Sequence, residues 1–160
     1  MMEHRHVITL EVEDKPGVLA RIATLFSRRG FNVDSLTVGH THLPGISRFT
    51  IVVRGDDHVL EQIRKQSQKL IQVIKTDFLH KETSVMREFA ILKLDYNEAH
   101  AKGINQVVDL YGGRMLDSHG GHLIVEFSGS EEKINQVLHS LSHFTVLEAV
   151  RTGKIGMQIG

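Results

Sequence analysis

The chain has 160 residues, enough for one medium domain or for two small ones near the lower limit for an independent core. Its 19 Lys and Arg balance 19 Asp and Glu, and 24% charged against 41% hydrophobic residues is a globular composition, which argues against a strongly basic nucleic-acid binder and a disordered chain. Cysteine is absent, which removes disulfides, thiolate chemistry and cysteine-ligated zinc, and no apolar run reaches membrane-spanning length.

Met1-Met2-Glu3-His4-Arg5-His6 leads straight into a strand-like segment with no signal-peptide apolar core, so a cytoplasmic location is expected. Residues 7–13 alternate, with Ile8, Leu10 and Val12 on one face, and read as a strand. Pro16 suits a first helical position, and Val18, Leu19, Ile22, Leu25 and Phe26 follow at helical spacing up to Gly30, a natural stop. Residues 32–38 form a second strand, His40 to Gly45 a loop, and Phe49, Ile51 and Val53 mark a third strand. Asp56 and Asp57 precede a helix carrying Val59, Leu60 and Ile63, and residues 70–78 close as a fourth strand. The order is βαββαβ, and polar Lys81-Glu82-Thr83-Ser84 reads as a linker. The order then repeats. Phe89, Ile91 and Leu94 lie in a strand; residues 100–111 form a helix ended by Gly112-Gly113; residues 114–119 and 122–127 form a hairpin around Gly120-Gly121. Ser130 caps a helix with Ile134, Val137, Leu138 and Leu141 on one stripe, and residues 145–151 form the final strand. The fold class is therefore α+β: two ferredoxin-like βαββαβ units in tandem, each too small to hide its sheet faces and edges alone, which predicts pairing of units within or between chains.

The segment Asp14-Lys15-Pro16-Gly17-Val18-Leu19 places backbone N–H groups at a helix N-terminus. Gly17 has no Cβ, so a ligand can approach the main chain. Free N–H groups and the helix dipole favour a carboxylate there. Taken alone, Pro-Gly is most simply a helix start. Asn32, which begins the next strand, reads as lying at the same sheet end and offers both a donor and an acceptor. Such a corner matches an amino acid, with its carboxylate and ammonium.

This segment, with Leu25 to Gly39, Pro44 to Val53, Leu60 to Ile63 and Lys69 to Lys75, resembles the ACT domain of the acetolactate synthase (acetohydroxyacid synthase) small-subunit family. Arg87 to Lys93, Gly112-Gly113-Arg114 with Asp117, and Arg151-Thr152-Gly153 extend the resemblance over nearly the whole chain. It implies an ACT regulatory domain over 6–80 and a C-terminal ferredoxin-like domain over 85–160. It also implies a non-catalytic subunit that binds a large catalytic subunit, raises its activity and confers feedback inhibition by valine or another branched-chain amino acid. Thiamine diphosphate, Mg and FAD would reside on the large subunit, with no cofactor, catalytic residue or metal in this chain. ACT domains of the family pair side by side into a homodimer with the effector at the interface. Carried over, Gly17, Val18 and Leu19 meet the effector through the main chain, Asn32 through its amide, and Val33 lines the apolar side. Asp14 stands where many members have Asn. Its carboxylate would either repel the effector's carboxylate or accept from its ammonium.

Other features weigh less. Eleven histidines include His4/His6, His40/His42, His119/His122 and His139/His143, but no cysteine or acidic ligand completes a metal set, and surface histidine is the simpler reading. Arg28-Arg29 complements the end of a helix. Arg48, a charge in an apolar strand, reads as an edge or interface residue. Asp56-Asp57 reads as a cap. Gly112-Gly113 lacks a phosphate-loop context. An ACT-type sensor serving another partner is the alternative function. An RRM-like RNA binder shares the element order, but residues 47–53 hold one aromatic where RRM modules carry stacking aromatics and basic residues. An acylphosphatase-like enzyme would need a paired Arg and Asn where the Pro-Gly turn sits.

Overall fold

The structure is a computed structural model and describes residues 4–160; Met1 to Glu3, included above in the lead-in to the first strand, lie outside the described residues. The chain divides into two compact units. One runs up to Met86 and includes Lys154–Gly160; the other is Arg87–Gly153.

In the first unit β1 (His4–Glu13), α1 (Val18–Arg28), β2 (Asn32–His40), β3 (Ile46–Gly55), α2 (Asp57–Gln68) and β4 (Val73–Leu79) follow the expected order. They form an antiparallel sheet of order β2-β3-β1-β4. The period-2 pattern explains the core. Ile8, Leu10 and Val12 of β1 and Phe49, Ile51 and Val53 of β3 point to one face, where Val18, Ile22 and Phe26 of α1 and Ile63 of α2 cover them. Each such side chain contributes roughly 1.5–3 kcal/mol when fully buried. The opposite face carries a smaller cluster of Val7, Val52 and Leu79 packed with Met86. β4 begins at Val73, later than the apolar run suggests. Leu70 N–H is spent on Ser67 O (3.1 Å) and Val73 N–H on Leu70 O (3.1 Å), so these residues turn instead of pairing.

A short 3-10 turn, Lys81–Thr83, fills the expected linker and leads into β5 (Ser84–Asp95). The second unit adds α3 (Glu98–Leu110), β6 (Arg114–His119), β7 (His122–Gly129), α4 (Glu131–Leu141) and β8 (Val146–Arg151), in sheet order β6-β7-β5-β8. Its core joins Ala90, Leu92 and Leu94 to Leu123, Val125 and Phe127 under Ile104, Val108, Ile134, Val137 and Leu141. The Arg87-Glu88-Phe89 and Arg151-Thr152-Gly153 segments meet between β5 and β8. The Glu88 carboxylate, 5% exposed, receives Arg151 Nη2 at 2.5 Å, while Arg151 Nη1 donates to Asn135 Oδ1 at 3.0 Å. Thr152 N–H donates to Phe89 O (3.0 Å), and Thr152 Oγ1 accepts from Phe89 N–H (3.1 Å). These residues hold the unit together.

A further strand, β9 (Ile155–Gln158), pairs with β5, and Ile159 N–H donates to Thr83 O at 2.9 Å. Four residues that include Gly156 carry too little pattern to be recognised as a strand, and the sequence reading ends its strands at residue 151.

Candidate functional site

The turn between β1 and α1 is pinned to the loop before β3. Asp14 N–H donates to Gly45 O (2.8 Å), Lys15 N–H to Glu13 O (3.0 Å) and Val18 N–H to Lys15 O (3.3 Å). Gly17 lies in the left-handed region, φ +85° and ψ −5°, and forms the N-cap of α1. Pro16 is therefore outside the helix and not at its first position, because the chain bends through Gly17 before the helix starts. An L-residue there would be strained by about 1 kcal/mol. Nothing lies within 4 Å of where a Cβ would sit, so this side of the turn is open.

The other α-helices among the described residues are capped by side chains: Asp56 accepts Val59 N–H, Asn97 accepts His100 N–H, and Ser130 accepts Lys133 N–H, each at 3.1 Å. α1 has no side-chain cap and no acidic residue in its first turn. Arg21 N–H donates to Gly17 O (3.0 Å), and no bond among the described residues takes Leu19 or Ala20 N–H. A helix end with open donors and an uncompensated positive pole is chemically suited to a carboxylate. Val18 turns its side chain into the core, leaving its main chain at the turn, and Leu19 is half exposed beside it. Asp14, Gly17, Val18 and Leu19 are thus brought together.

Asp14 is not alone. His40 Nδ1, at the end of β2, lies 3.3 Å from Asp14 Oδ2, with both side chains exposed. In the sequence His40 stands out as half of a His-x-His pair at the start of a loop. The neighbouring Lys15 is drawn to Glu13, Nζ to Oε2 2.7 Å.

Asn32 and Val33 are not at this corner, which corrects the placement expected for them. Asn32 faces Arg54 in the β2–β3 register and Arg54 faces Arg5 near the start of β1, whereas Glu13 faces Ile46 beside the turn. Arg54 and Ile46 are eight positions apart on β3, roughly 26 Å at ~3.3 Å per residue. The reason is topological. Both β1 and β2 run antiparallel to β3, so the crossover through α1 carries the chain back to the end where β1 began. One amino acid cannot touch Gly17 and Asn32 of the same chain. Asn32 instead lines an open groove of about 560 Å³ with Arg29, Arg54, His58 and Gln62. Next to it Asp34, at a bulge in β2, accepts Arg5 Nε (2.9 Å) and Arg54 Nε (3.0 Å) on the same oxygen.

β2 is the outer strand of its sheet, and Val33, Leu36 and Val38 are 39%, 41% and 44% exposed. They face Val53, Ile51 and Phe49 in register, so they extend the apolar helix-side face to the sheet edge. Among the described residues no group of three or more His, Asp or Glu is arranged to hold a metal. His119 and His122 face each other across the hairpin, and the His139 and His143 rings stack edge-on at 5.9 Å. At the opposite sheet edge the Lys75 ammonium donates to Asp77 (2.9 Å), and this hydrogen bond, with the Asp77 charge behind it, raises the lysine above its ordinary pKa.

Comparison with known proteins agrees with this architecture. Residues 8–75 match the model of the AHAS small subunit-like ACT domain, and residues 87–160 match that of the small subunit of acetolactate synthase. A probable acetolactate synthase small subunit of Methanothermobacter thermautotrophicus is 46% identical over 156 residues, covering 97% of this chain and 93% of the relative. Its counterpart in Archaeoglobus fulgidus is 41% identical over 156 residues, covering 98% of each. The crystal structure of the acetolactate synthase small subunit from Thermotoga maritima superposes with a TM-score of 0.92 at 37% identity, covering 98% of both chains. The chain belongs to the acetolactate synthase small-subunit family, with an ACT domain as its first unit.

Proposed function

We propose that this chain is the non-catalytic regulatory subunit of acetolactate synthase, in branched-chain amino acid biosynthesis. In this reading it binds the thiamine-diphosphate-dependent large subunit, raises its activity and confers feedback inhibition when a branched-chain amino acid, valine first, binds at an ACT–ACT interface. Thiamine diphosphate, Mg and FAD belong to the large subunit, this chain carries no catalytic group or cofactor, and the complex is cytoplasmic.

The observation that carries the effector reading is the uncapped α1 N-terminus at the Gly17 turn, at the sheet end where the outer strand β2 finishes. If two copies pair through β2 antiparallel, the start of one β2 comes beside the end of the other. Asn32 and Val33 of a second copy then stand near the turn they cannot reach in their own chain. The site becomes composite: Leu19 and the main chain of Gly17 and Val18 from one copy, Asn32 and Val33 from the other, and Asp14 within reach of the ammonium. Pairing also covers Val33, Leu36 and Val38, the exposed apolar residues of an otherwise open edge.

Effector binding would tie two ACT units together, with a coupling of about 1–3 kcal/mol and graded inhibition. Calorimetric titration with valine, leucine and isoleucine tests this. Saturable heat with at least one of them is expected; no heat and no stability shift with any of them rejects it. A pull-down from the organism's own cytosol should recover a thiamine-diphosphate enzyme.

A further inference from the structure

Arg48 is the charge in the third strand that the sequence left as an edge or interface residue. It is neither. β3 is an inner strand, and Arg48 faces Glu11 of β1 on one side and Gly39 of β2 on the other. Its Nη1 donates to Glu11 Oε1 at 3.2 Å, and its Nη2 donates to the carbonyl of Gly156, 108 residues later, at 2.9 Å. The guanidinium thus bolts the C-terminal segment onto the first unit.

The segment is also attached through its backbone. β9 has four residues paired to β5, and Ile159 N–H donates to Thr83 O. Gly156 lies so close to its neighbours that an added Cβ would stand 2.9 Å from both Leu79 Cδ1 and the Val85 carbonyl oxygen. Ile155, Met157 and Ile159 leave more than half their surface in solvent. A short strand at the chain end with exposed side chains opens at low free-energy cost, so one charge-assisted bond weighs heavily in whether it is seated.

Arg48 also sits at the sheet end that carries the Gly17 turn. Asp14 N–H is bonded to Gly45 O, three residues before Arg48, and Glu11 is three residues before Asp14. Glu11, which orients the guanidinium, is therefore continuous with the turn through β1, and Arg48 itself is continuous with it through β3.

We propose that Arg48 is a positioning residue coupling ligand occupancy of the Gly17 turn to the seating of the C-terminal strand on the first unit. The inference rests on the effector reading above. A bound amino acid stiffens the turn, holds Glu11 and the start of β3 in place, and fixes the guanidinium on the Gly156 carbonyl.

Hydrogen exchange on the full chain, with and without saturating valine, leucine or isoleucine, tests it. In the wild type, the effective amino acid should slow exchange at residues 18–21 and, by about fivefold or more, at residues 155–159, the lower end of ordinary couplings. In Arg48→Met the slowing at 18–21 should remain and that at 155–159 should vanish. Gly156→Val unseats the strand while leaving every residue of β3 unaltered. By reciprocity it should weaken binding of the amino acid by the factor by which that amino acid slows exchange at 155–159 in the wild type. Protection of 18–21 with none at 155–159 in the wild type, or equal protection of 155–159 in Arg48→Met, overturns the coupling alone. No protection at 18–21 by any of the three overturns the effector reading and the coupling with it.

Discussion

Asp14 decides which way the turn's electrostatics lean. Its carboxylate belongs to the turn that leads into the open N–H groups of α1, where the effector's own carboxylate is expected, and His40 Nδ1 lies 3.3 Å from it. If like-charge repulsion prevails, Asp14→Asn removes roughly 0.5–1 kcal/mol of it and tightens valine about two- to fivefold by calorimetry. A loss of affinity would instead assign Asp14 to the ammonium. Gly17→Ala should lower stability by about 1 kcal/mol through its positive φ, and should reduce valine binding further, since the methyl projects into the open side of the turn. The Glu88–Arg151 pair makes a different point. The carboxylate is buried and the guanidinium is 36% exposed, so the two deletions are unequal. Arg151→Ala strands a buried charge and should cost about 2–4 kcal/mol by denaturant unfolding, whereas Glu88→Ala leaves an arginine that water can solvate and should cost less. The first-half motif residues are legible as chemistry from sequence, because Pro-Gly before an apolar helix is a local signal. Nothing local marks Glu88 as buried or Arg151 as its partner, 63 positions away.

Among the elements, β2 carries the largest consequence. An outer strand with Val33, Leu36 and Val38 half exposed is an open template for pairing. Leu36→Lys places a charge on that edge and should convert the proposed β2-paired dimer to monomer in analytical ultracentrifugation. Because the proposed site takes Asn32 from a second copy, valine binding should disappear with the dimer; valine bound at full strength by the monomer would argue against a shared site. Helix and strand identities follow their periodicities closely, and the caps at Asp56 and Ser130 were readable from their residue types. The departures have physical causes. Gly17 delays α1 by adopting a left-handed turn, and Leu70 to Val73 spend their backbone bonds on turns before β4 can pair. β9 is not legible in the sequence because four residues, Gly156 among them, give no period to detect.

At the scale of the molecule, the last seven residues belong to the first unit although the rest of the second half forms its own core. Ending the chain at Gly153 strips the Gly156 contacts from Leu79, Val85 and Met86 and frees Arg48 from its carbonyl acceptor. The expected loss of about 1–2 kcal/mol corresponds to a midpoint lower by roughly 5–15 °C for a unit of this size, with exchange in residues 90–94 and 123–127 unchanged. The sequence by itself determined the two βαββαβ repeats, the core faces of β1 and β3 and the Pro-Gly turn before α1, because periodicity, caps and Pro-Gly chemistry act over a few residues. Only the tertiary structure decided that Asn32 lies at the far end of the sheet from Gly17, that Arg48 is an inner-strand clamp, and that residues 154–160 return to the first unit. Those depend on strand register and on bonds spanning up to 108 positions, which no local pattern encodes.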